Sequence, residues 1–97
     1  MEKIKSITVF EREDEKNYCR DKIHVQENGN LHFDSYDIGE LPEKFFGHDD
    51  YENDIFVEGE WKDSILLLLL KERFKTNGEF KDWADEKGLP LTRLPNL

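Results

Sequence analysis

The densest run of potential ligands in this chain is His48-Asp49-Asp50-Tyr51-Glu52-Asn53-Asp54. Oxygen-rich segments of this kind bind hard cations such as Ca²⁺ or Mn²⁺. The spacing is not that of an EF-hand loop, which needs Asp-x-Asp-x-Asp-Gly and a closing Glu. If the segment is extended, Glu52 and Asp54 point one way and Tyr51 and Asn53 the other. These acids are therefore read as solvated or partner-facing, not as a metal site.

A second constellation is the pair His24 and His32. A hairpin would set them opposite each other with Cβ atoms about 5 Å apart, within reach of one metal ion. A zinc site needs further ligands, and no Cys or other His lies close in sequence. The pair is read as ordinary surface histidines. Cys19 is the lone cysteine, in Asn-Tyr-Cys-Arg-Asp, and matches no nucleophile signature. None of Ser6, Ser35 and Ser64 sits in G-x-S-x-G, and neither a phosphate-binding loop nor G-x-G-x-x-G is present. Apposed carboxylates among so many acids could do acid–base work, but nothing singles out a pair. The expectation is a protein without intrinsic catalysis, with no cofactor and no resident metal.

Charge is the stronger signal. Residues 34–63 hold 11 of the 23 acidic side chains and only two bases, Lys44 and Lys62, so this segment accounts for the net charge of −9. Self-repulsion at that density opposes folding, and a basic partner surface would relieve it. A pI near 4.7 argues against nucleic acid and anionic membranes, which are themselves polyanionic. A single cysteine fits a reducing cytoplasm. The chain opens without the apolar core of a secretion signal. Ile65–Leu70 is far shorter than the roughly 20 residues that span a bilayer.

Ninety-seven residues make one domain with a modest core. Lys3–Glu11 reads as a strand and Glu11–Lys16 as a mixed-charge loop. Asp21–Asp34 reads as a hairpin whose register is set by side-chain parity. A Glu27-Asn28-Gly29 loop, with Gly29 left-handed, pairs Val25 with Leu31 and Ile23 with Phe33; it also sets His24 against His32. Leu41–Phe46 is a short helix, with Pro42 in its first turn and Gly47 as its stop. Tyr51–Glu58 reads as a strand.

Glu60–Phe74 is the main helix. Thr76 and Glu79 resemble a capping box that opens a second helix through Lys87, closed by Gly88. Leu89–Leu94 reads as a short strand or a docked tail. The fold expected is α+β: a small antiparallel sheet of three to five strands with two main helices on one face. On the main helix, Trp61, Ile65, Leu69 and Phe74 should face the core, flanked by Leu66 and Leu70. Leu67 and Leu68 then need cover from the tail or from a second copy in a homodimer.

Several strings resemble a group of small, mostly uncharacterised bacterial proteins. They are Tyr36-Asp37-Ile38-Gly39, Glu43-Lys44-Phe45-Phe46-Gly47, Asp50-Tyr51-Glu52 and the ending Phe80…Trp83…Gly88-Leu89-Pro90. The Phe-Gly-x-x-Asp-Tyr-Glu segment is the most distinctive. In size and acidity such proteins are similar to immunity proteins encoded beside bacterial toxins. The resemblance implies a toxin inhibitor and carries no catalytic residues.

The function expected is therefore neutralisation of a basic protein partner by occlusion. Asp49, Asp50, Glu52 and Asp54 would supply charge, and Tyr51, Phe56 and Trp61 aromatic anchors. A phage-type acidic mimic of DNA, directed at a nuclease or restriction enzyme, is the next reading; irregular carboxylate spacing weighs against it. A small metal-dependent enzyme is the third.

Overall fold

A computed structural model describes residues 1–47 and 50–94. The protein is α+β. Strands β1 (Ser6–Glu13), β2 (Asn17–Val25), β3 (Leu31–Gly39) and β4 (Asp50–Val57) form one antiparallel sheet in the order β1-β2-β3-β4. Helix α1 (Glu40–Phe46) lies between β3 and β4, and a 3₁₀ turn at Gly59–Trp61 follows β4. Helices α2 (Lys62–Arg73) and α3 (Asn77–Lys87) complete the chain. By contacts the chain divides into two compact units, Ile4–Lys62 and Asp63–Leu97 with Met1–Lys3. No helix among the described residues is long and apolar enough to cross a membrane.

In the sheet unit, the parity argument holds. Val25 pairs with Leu31, Ile23 with Phe33, and His24 with His32. Gly29 has φ 89, and the Gly29 and Gln26 amides donate to the Gln26 and Asn30 carbonyls at 2.9 and 2.8 Å. The hairpin is longer than its apolar residues suggest, running on to the pair Asn17↔Gly39. The segment Glu11–Lys16 is a loop only at its end. Glu11 to Glu13 are strand, and the turn is closed by Asp14, whose carboxylate accepts from the Lys16 and Asn17 amides at 2.9 Å each.

β1 carries a bulge. Thr8 pairs with Lys22 and Phe10 with Asp21, leaving Val9 as the extra residue. The bulge returns Phe10 to the side of Ile7 and sends Glu11 to the side of Arg20. Ile7, Phe10, Ile23, Phe33 and Ile55 thus share one side of the sheet, and the histidines take the other.

The helical unit is held by local rules. Thr76 Oγ1 accepts from the Glu79 amide at 3.1 Å. The returning carboxylate of Glu79 accepts from the Lys75 amide at 2.8 Å, one residue earlier than a standard capping box. At the other end the Leu89 amide donates to Ala84 O at 2.9 Å and the Gly88 amide to Asp85 O at 3.1 Å. Leu89–Leu94 forms no strand.

The expected core stripe of the main helix is corrected. Trp61 and Leu69 are each 57% exposed, and Leu66, Leu67 and Leu68 are exposed with them. The half-buried apolar residues are Ile65, Leu70 and Phe74. Phe74 sits edge-on to Phe80 (5.5 Å) and tilted against Trp83 (5.7 Å). Phe74, just past the end of α2, thus packs against Phe80 and Trp83 of α3.

Candidate functional site

The histidine side of the sheet follows from alternation and register. On β2 it holds Tyr18, Arg20, Lys22 and His24; on β3, His32, Asp34 and Tyr36; on β4, Glu52, Asp54 and Phe56. Three neighbouring strands therefore bring His24, His32, Asp34 and Asp54 together. His24↔His32 and Asp34↔Asp54 are cross-strand pairs, and Asp34 lies two residues beyond His32 on the same strand.

The polar atoms converge. His32 Nε2 lies 2.7 Å from Asp54 Oδ1. His24 Nε2 lies 3.6 Å from Asp34 Oδ2, and Arg20 Nη2 lies 3.9 Å from the same oxygen. One ligand atom each from His32, Asp34 and Asp54 falls within 4.8 Å of the others. Both rings are oriented by neighbours. His24 Nδ1 is hydrogen-bonded to Ser6 Oγ at 2.8 Å. The Phe56 ring stacks on His32 with centroids 4.4 Å apart and planes at 11°. The two imidazoles are 5.6 Å apart. Further along this side, Tyr18 donates its hydroxyl to Glu11 at 2.8 Å, which raises the phenol pKa above its ordinary value.

The expected partner-binding residues divide. Asp49 lies outside the described residues, and Asp50 opens β4. Glu52, Asp54 and Phe56 share the histidine side and are exposed; Tyr51 takes the opposite side. Trp61 closes the 3₁₀ turn and is exposed. The acidic segment is likewise split. Glu40 pairs with Lys16 at 3.8 Å, Asp37 shares the side of Tyr51, and Glu58 and Glu60 flank the Asn28–Asn30 turn near Lys62. Among the described residues these acids therefore fall on different sides.

Asp34 and Ser6 were not singled out from sequence. Asp34 could have been, since residues two apart on a strand share a side. Asp54 needed the β3–β4 register, which spans helix α1 and has no short turn to set it. No family model, curated protein or solved structure matches the chain.

Proposed function

We propose that this chain is a protein-binding domain that takes a basic partner along β4. The observation that carries the reading is the edge of the sheet. β4 is an outer strand of the four, and Glu52, Asp54 and Phe56 project from one side of it, exposed. An edge strand offers unpaired backbone groups to a partner, while acids beside it repel other acidic chains and steer basic ones. Phe56, 59% exposed, supplies an apolar anchor two residues beyond Asp54 on the same side. The most specific form of the reading is neutralisation of a bacterial toxin domain with a basic active surface, which such an edge would occlude.

The test is kinetic. A partner recovered from the native host is immobilised, and association of wild type, Glu52→Lys and Glu52→Lys/Asp54→Lys is followed at rising salt. Exposed charges are screened beyond about 8 Å at physiological ionic strength, so salt should slow association more than it speeds dissociation. The double reversal should lower the on-rate by about tenfold or more. An unchanged on-rate in a folded double variant would reduce these acids to a solvated edge that merely prevents strand pairing.

A further inference from the structure

We propose that His24, His32, Asp34 and Asp54 form a binding site for a single divalent transition-metal ion of the zinc class. The donor set is two imidazoles and two carboxylates, which suits a borderline ion far better than Ca²⁺ or Mg²⁺. Two of the six ligand separations bracket the value a tetrahedral ion requires. Ligand atoms about 2.0 Å from a zinc ion stand about 3.3 Å from one another in a tetrahedron. His32 Nε2 to Asp54 Oδ1 is 2.7 Å and His24 Nε2 to Asp34 Oδ2 is 3.6 Å, either side of that value. The remaining separations in the His32–Asp34–Asp54 group are at most 4.8 Å, a distance that side-chain rotation on neighbouring strands can close.

The surroundings do what metal sites require of them. Ser6 Oγ lies 2.8 Å from His24 Nδ1 and can accept a hydrogen bond from Nδ1–H, the tautomer that leaves the Nε2 lone pair for the ion. Phe56, stacked on His32, limits rotation of the second ring. Charge is also balanced: two aspartates offset the two charges of the ion. Arg20 competes for Asp34 from 3.9 Å, and Lys22 pairs directly across from Asp34 in the ladder. These two cations oppose the incoming ion and lower its affinity. Four protein ligands would close the site, so its role would be to tie β2, β3 and β4 together, not to activate water.

The site shares Asp54 with the partner-binding reading, but it is tested with metal alone. Purified protein, stripped with a chelator, is titrated with Co²⁺, and Zn²⁺ is then added. The expected result is one equivalent of tetrahedral Co²⁺ absorption, displaced by Zn²⁺, with a rise in thermal midpoint. His32→Ala and Asp34→Asn should each weaken binding tenfold or more. Ser6→Ala should weaken it up to about tenfold, acting through His24. Glu86→Gln, on α3 and outside the sheet, should leave the affinity within about twofold.

Circular dichroism checks that each variant is folded. Should the ligand variants unfold, imidazole ¹⁵N resonances of the wild type decide instead: Zn²⁺ must shift Nε2 of both His24 and His32. Absence of saturable one-equivalent binding, binding that survives His24→Ala/His32→Ala in a folded protein, or unmoved Nε2 resonances would each overturn the proposal.

Discussion

Helix α3 and the junction between β3 and α1 use the same devices over very different lengths of chain. In α3 a side-chain oxygen caps an amide three residues away, from Thr76 to Glu79, and Gly88 ends the helix. At the junction a side-chain oxygen again caps a helix, but Asn17 Oδ1 accepts from the Leu41 amide at 2.9 Å across 24 residues. The Glu40 amide donates to Lys16 O at 3.3 Å beside it. A local cap that fails frays its own helix. A distant cap that fails also loosens the strand pairing it closes, here the Asn17 end of the β2–β3 ladder. Arg20 and Asp34 lie along that ladder, whereas the His24↔His32 pair sits beside the local Gln26–Asn30 turn, so the candidate site leans on a local and a long-range device together.

The largest effect should come from Gly39. Its φ is 129, and a Cβ there would collide with the Lys16 carbonyl oxygen and lie 2.8 Å from Asn17 Cα. Both partners are backbone atoms, which cannot rotate away. Gly39→Ala should cost about 3 kcal/mol through strain and displaced pairing, read as a drop in the urea midpoint. Hydrogen exchange should quicken first at Asn17 to Cys19 and at Tyr36 to Ile38, and spare α3. A loss below 1 kcal/mol would mean that this end of the ladder yields without involving the rest.

The local cap should matter less. Thr76→Ala removes one acceptor at the start of α3 and should cost about 1 kcal/mol. Thr76→Ser keeps the oxygen and should restore most of that. Exchange should quicken in the first turn of α3 and leave His24, His32 and Asp34 unchanged. Spread of the effect into the β2–β3 ladder would contradict the contrast drawn between the two devices.

What could be read from the chain follows the same division. The α3 caps and the hairpin from Ile23 to Phe33 lie within short windows, where parity or spacing decides. Asn17 to Asp21 and Asp34 to Gly39 are strands rich in Asn, Asp and Arg, which have weak strand preference on their own. They are extended because they pair with each other and because Asp34 meets Arg20 and His24. The covered side of α2 was equally obscure: six consecutive apolar residues carry no stripe, and Phe74 takes its side from Phe80 and Trp83 on the next helix. For the candidate site, the His24/His32 opposition was legible and Asp34 was one step of alternation away. Asp54 became a neighbour of His32 only through a β3–β4 register that no short turn encodes.

The smallest effect tests a cap that is local yet lies in the sheet. Asp14 closes the β1–β2 turn, and its pKa is lowered chiefly by the Lys16 amide donating to it, then by the Asn17 amide. A carboxyl whose pKa is depressed on folding stabilises the fold above its unfolded pKa. That stabilisation is lost as pH falls through the lower, folded value. Asp14→Asn keeps an oxygen for both amides but cannot titrate. The stability difference between wild type and Asp14→Asn should therefore be constant near neutrality. It should shift against the wild type as the pH drops through and below the usual carboxylate range, tracked by urea unfolding at each pH. Because the carboxylate is exposed, added salt should shrink the pH-dependent part. A difference that stays flat from neutrality to strong acid would show that the turn needs only an acceptor and not its charge. Asp14 would then resemble Thr76: a neutral, local cap whose loss does not reach the paired strands.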